Sequence, residues 1–151
     1  MTNVSTHDPS TIRLHPVAAA VIGAASFGLA MVAGDLFDLN KDDDTVAITA
    51  SEWLITGGLA LVGLAIGVGL GLRAWHGDVT RLSRTALGLA IAGAVTFVAF
   101  WSGWPSVFSA VAVGLALEHR RRIGSFSTST GIAAALGVLT FVATAYICVT
   151  G

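Results

Sequence analysis

Charge is scarce in this chain. Only 11% of its 151 residues are Asp, Glu, Lys or Arg, less than half of the roughly 25% typical of globular domains. Hydrophobic residues make up 54%, and mean hydropathy is +0.80. A soluble fold of this length cannot hide several long apolar stretches in one small core, because too little of its surface is removed from water. The single cysteine, Cys148, excludes an intramolecular disulfide and any CxxC site. Lysine occurs once, as Lys41, beside seven arginines. With the abundant Ala and Gly, that bias suggests a GC-rich bacterial coding sequence.

Catalytic signatures are missing as well. There is no HExxH pair and no Ser/His/Asp order. Gly67, Gly69 and Gly71 lie in an apolar run rather than at a strand-to-helix turn, so they form no phosphate loop. Gly does not follow Met1 and the chain has no CaaX ending, which leaves no lipidation signal. No basic-aromatic surface supports nucleic-acid binding.

Long apolar runs are what the sequence does contain. At about 1.5 Å per helical residue, roughly 20 residues cross a hydrocarbon core of about 30 Å. Runs over 16–37, 53–72 and 132–149 meet or approach that length, and the stretch 85–117 exceeds it. Trp101, Ser102, Gly103, Trp104 and Pro105 interrupt this last stretch, which reads as a hairpin of helices over 85–101 and 105–117. The fourth run is short, and thirteen apolar residues alone would suit a re-entrant segment.

Charge asymmetry selects among topologies. Lys and Arg stay on the cytoplasmic side of inserted helices. If the fourth run crosses, Arg13, Arg73, Arg81, Arg84, Arg120, Arg121 and Arg122 share one side and only Lys41 lies opposite. The expected fold is therefore an all-α integral membrane protein: a bundle of five transmembrane helices, N-terminus cytoplasmic and C-terminus outside. A cytoplasmic tail over 1–15 precedes one transmembrane domain over 16–150, with an acidic outer loop at 38–52. Trp53, Trp101 and Trp104 are expected at the outer interface and Trp75 at the inner one. Cleavage of the first run as a signal peptide is the alternative, but the run exceeds the usual ~7–15 residue core and its leading tail has one Arg balanced by Asp8. The expected location is a bacterial plasma membrane, multi-pass.

Few residues stand out chemically. The outer loop carries Asp38, Asn40, Asp42 and Asp44 at alternate positions, a weak candidate for metal contact. An EF-hand would need Gly where Asp43 stands and Glu where Thr49 stands. Asp35, Glu52 and Glu118 each lie near an expected helix end, in reach of headgroups and water, and the first two could line an outer vestibule. Gly63, Gly67 and Gly71 repeat every four residues and so share one helix face, a close-packing surface for another helix. Ala20, Ala24 and Gly28, and Ala110 and Gly114, repeat similarly. Arg120, Arg121 and Arg122 form a cluster for anionic headgroups, at about 1 kcal/mol each. His15, His76 and His119 fall at helix ends or in loops, which suits interfacial histidines rather than haem ligands. Hydroxyls inside the runs can bond backbone carbonyls one turn earlier.

These features favour a non-enzymatic module that self-associates or binds a membrane partner through Gly/Ala faces, with the lipid bilayer as its constant partner and no cofactor. A small transporter or channel subunit is the alternative, and a lipid-modifying enzyme using Asp35, Glu52 or the Glu118–His119 pair a third.

Overall fold

The computed structural model describes residues 14–37 and 50–150, except the side chains of Asp35, Ala50, Glu52 and Trp53. Among the described residues the chain is all-helical: α1 (Pro16–Leu36), α2 (Ala50–Trp75), α3 (Val79–Val95), a 3-10 segment (Thr96–Ser102), α4 (Trp104–Ile123) and α5 (Thr128–Thr150). Four stretches are long and apolar enough to cross a membrane: Pro16–Gly34, Leu54–Trp75, Val79–Ser102 and Thr128–Thr150. These make the chain a multi-pass membrane protein by length and composition.

Local chemistry sets the helix ends. Asp78 caps α3 by accepting the Arg81 N–H at 2.8 Å, the usual role of an N-cap carboxylate. The helix thus begins at Val79 and takes in Arg81 and Arg84, six residues before the apolar run from 85. Gly103, in the left-handed region at φ 75°, turns the chain between the 3-10 segment and α4, where Pro105 fits the first turn. Gly124, at φ 86°, ends α4 by donating its N–H to the Arg120 carbonyl at 2.7 Å. Ser127 opens α5 through its hydroxyl, which accepts the Thr130 N–H at 3.3 Å. The polar segment 124–130, read as a linker, is therefore part helix.

The fourth helix is longer than its apolar run. Residues 118–123 continue it to 20 residues, or about 30 Å. It touches every other element, and Val107, Val111, Ala112, Leu115 and Ala116 are fully buried. The other helices surround it with Gly at the closest approaches. A methyl on Gly23 of α1 would lie 2.7 Å from the Ser106 carbonyl oxygen and 2.8 Å from Val107 Cα, so the two backbones touch.

The same contacts fix the stagger. Trp104 lies against Gly63, nine residues into the apolar stretch of α2 that begins at Leu54. That contact lies about 13 Å along the stretch from Leu54. Val111 lies beside Gly71 and Pro16, so about 18 Å of α4 continues past the start of α1. Trp104 thus packs against α2 inside its apolar stretch. Its indole is half-buried inside the bundle and donates to the Leu59 carbonyl at 2.7 Å. Trp101, in contrast, is exposed. α2 is one continuous helix through Thr56, Gly57 and Gly58.

Candidate functional site: the polar end of the bundle

Polar side chains gather where α2 ends, α3 and α5 begin and α4 finishes. Glu118 is 2% exposed. It accepts bonds from Arg121 Nε and Nη2, both at 2.7 Å, and from Arg122 Nε at 2.9 Å. The spacing explains the contact, since residues three and four apart share a helix face. Burial pushes the Glu118 carboxyl up, but the hydrogen bonds and charges of Arg121 and Arg122 outweigh it and hold it below the usual glutamate range. The same bond raises Arg121. Glu118 follows the apolar stretch 105–117 but does not reach water, as its helix-end position had suggested; its own helix folds two arginines over it.

Arg122 also ties α4 to α2. Its Nη2 donates to the Trp75 carbonyl at 2.6 Å and its Nη1 to the Gly77 carbonyl at 3.1 Å, satisfying acceptors at the end of α2 where a cation is favoured. The guanidinium lies 6.0 Å from the Trp75 ring, and His15 meets that ring edge-on at 5.3 Å. Arg120 stands over Phe126 at 5.1 Å. Arg121 and Arg122 therefore share Glu118 while Arg120 stands on Phe126, and the three do not act as one unpaired cationic surface.

His119 is 3% exposed, in contrast to the water contact expected of a helix-end histidine. Burial pushes its imidazole below the usual histidine value. Its Nδ1 lies 3.5 Å from Thr130 Oγ1, the start of a chain of hydroxyls. Thr130 Oγ1 to Ser127 Oγ is 2.9 Å, Ser127 to Ser129 is 3.1 Å, and Ser129 to Ser83 is 2.6 Å. One polar chain thus links α4, α5 and α3. Among the described residues no carboxylate bonds this imidazole, because Glu118 is held by arginines. The arrangement works as a staple between helices.

Gly63, Gly67 and Gly71 do share a face, and it meets this chain's own helices: Trp104, Val107 with Phe108, and Val111 with Pro16, respectively. Ala20 and Gly114 are also buried within the bundle. Glycines that meet nothing within 4 Å are Gly28, Gly57, Gly58, Gly69, Gly88, Gly124 and Gly131. Asp38, Asn40, Asp42 and Asp44 lie outside the described residues, as do the side chains of Asp35, Glu52 and Trp53. Among the described residues no three of His, Cys, Asp and Glu gather to hold a metal ion. Thr96 and Thr144 bond the carbonyls of Ala92 and Thr140 at 2.7 and 2.8 Å, the local solution expected for hydroxyls in such helices.

Two hollows remain. One, of about 180 Å³, is apolar and lies between α1, α4 and α5 beside Ile22, Val113 and Phe141. The other, of about 420 Å³, is an open cleft at the start of α3. Sequence reasoning passed over it and over Ser83 and Ser129, although Asp78 before an apolar run was a legible helix cap. Comparisons with protein-family models, curated proteins and solved structures find no match to this chain.

Proposed function

We propose that this chain is a five-span, non-catalytic membrane module of a bacterial plasma membrane, N-terminus cytoplasmic and C-terminus outside. The carrying observation is the enclosure of α4. Glu118 is neutralised by arginines of its own helix, and His119 and Arg122 are engaged by neighbouring elements, which favours scaffolding over chemistry. All six described arginines, Arg73, Arg81, Arg84, Arg120, Arg121 and Arg122, sit at one end, because Arg122 bonds the end of α2 and Ser83 bonds Ser129. That supports a cytoplasmic assignment of this end by the positive-inside rule. The antiparallel α3–α4 hairpin returns to the same side however deep its tip reaches. Retention of α1 is supported by its packing on α4 through Ala19, Ala20 and Gly23.

Association with a second copy or a membrane partner uses α2 in this reading. From Leu54 to Val62 no residue of α2 is buried, and Gly58, Ala65 and Gly69 are exposed on its outward side. Small residues there allow close helix approach. Two measurements test the proposal. A periplasmic phosphatase fused after Thr150 should be active, and one fused after Gly124 inactive; the reverse pattern rejects the topology. Light scattering in mild detergent should show a defined oligomer that Gly69→Leu dissociates. A monomer of unchanged size, with no co-purifying membrane protein, rejects the association.

A further inference from the structure

The cleft of about 420 Å³ is lined by Asp78, Thr80, Arg81, Arg84 and Thr85. It differs from the Arg120–Arg122 cluster at the same end. Arg121 and Arg122 are held by Glu118 and by backbone carbonyls, and Arg120 stands on Phe126. Arg81 and Arg84 are exposed, one helical turn apart, and no carboxylate among the described residues pairs with either. Threonine hydroxyls at positions 80 and 85 flank them. Asp78 gives the same hollow a carboxylate. One of its oxygens accepts the Arg81 backbone N–H, so the cap of α3 is already filled and the helix end itself is not the anion site. Two cations and one anion on one concave surface complement a ligand carrying a phosphate and an amine. Guanidinium forks bind phosphate oxygens, and a carboxylate accepts from an ammonium.

The cleft opens where α3 enters its apolar stretch. One turn further along the same face, Gly88 meets nothing within 4 Å, and beyond it Ile91 and Val95 are exposed. An acyl chain attached to a headgroup in the cleft would run along this apolar track.

We propose that Asp78, Arg81 and Arg84 bind the phosphoethanolamine headgroup of a membrane aminophospholipid, phosphate on the two arginines and ammonium on the aspartate. Phosphatidylglycerol satisfies the arginines alone. Phosphatidylcholine has no ammonium N–H to give Asp78.

Native mass spectrometry of the full chain in mild detergent tests this, with each lipid titrated separately. Phosphatidylethanolamine should be retained at least about fivefold better than phosphatidylcholine, one charged contact's worth. Asp78→Asn, which keeps a good helix cap, should abolish the preference for phosphatidylethanolamine over phosphatidylglycerol. The Arg81→Gln/Arg84→Gln pair should lower retention of both lipids at least about fivefold, and Arg120→Gln should leave it unchanged. If the double variant misfolds, Arg84→Gln alone serves the same comparison. Equal retention of ethanolamine and choline lipids overturns the proposal, as does full retention by the arginine variants. Displacement of bound lipid by millimolar inorganic phosphate identifies a soluble-anion site and overturns it too.

Discussion

Helices α4 and α2 are near neighbours with opposite surroundings. α4 carries Glu118, His119 and three arginines, yet neighbours enclose it along most of its length. α2 is apolar almost throughout, yet nothing between Leu54 and Val62 is buried. In a water-soluble bundle the apolar helix would be central and the charged one peripheral. Lipid reverses the preference. Apolar side chains can face the bilayer at no cost, while polar groups must find partners inside the protein.

The most severe way to break this contrast is to force α4 outward. Gly23→Leu drives a side chain into the α4 backbone at Ser106 and Val107, and Gly67→Leu drives one into Val107 and Phe108. Each should cost about 3 kcal/mol, at the upper end for overpacking. Gly69→Leu, two residues along α2, meets open space within the chain and should cost far less, no more than the loss of association removes. Thermal unfolding followed by tryptophan fluorescence separates the two outcomes. Equal melting points for the Gly67 and Gly69 variants would mean that α2 does not present those faces.

Next in size is loss of the Glu118 ion pairs. Glu118→Ala removes the acceptor of three hydrogen bonds from Arg121 and Arg122 and should cost about 2 kcal/mol, in the range for bonds to charged groups. Much of that loss should appear as faster proteolysis between α4 and α5, since Arg122 then holds the end of α2 without its brace. The parent cleavage rate in the variant would show that the ion pair contributes nothing.

Acid should loosen the same end in two stages. His119 has a lowered value in the fold, so the folded state prefers it neutral. The unfolded state binds the proton first, and stability falls as pH drops through about 6.5, levelling off once the folded imidazole also protonates. Glu118, likewise lowered in the fold, adds a second loss below about pH 4.3, where the unfolded glutamate takes its proton. Melting temperatures across pH 8 to 5 should slope in the parent and be flat in His119→Gln. A slope that survives the substitution places the sensor elsewhere.

Much of the architecture was legible because it is written in coarse features. Long apolar runs marked four of the helices, and the Trp101–Pro105 interruption marked the hairpin. The length of α4 was not, because hydropathy stops at Leu117 while the helix runs on through a self-neutralising Glu118, Arg121 and Arg122. Periodicity gave the shared face of Gly63, Gly67 and Gly71, but not its partner, since a small-residue face does not say whether the approaching helix belongs to the same chain. His119 and Glu118 read as wet because they follow the apolar stretch. Their burial depends on how far α3 and α5 extend past α1, a stagger set by contacts between distant residues.

The finest contrast within α4 concerns one hydroxyl. Ser109 is fully buried, and its Oγ has no hydrogen-bond partner among the described residues. Thr96 and Thr144 bond carbonyls of their own helices, but Ser109 Oγ faces Gly93 of α3, where an added methyl would lie 2.8 Å away. An unsatisfied buried hydroxyl costs about 1–3 kcal/mol. Ser109→Ala removes that cost and leaves only a small gap beside Gly93, so the variant should match the parent or gain about 1 kcal/mol. Gly93→Ala at the same contact should lose stability by crowding the hydroxyl. Combined with Ser109→Ala it should recover most of the loss, because the crowding atom is gone. A clear loss of stability in Ser109→Ala alone would show instead that the hydroxyl holds a bound group, and would give the centre of this bundle a site.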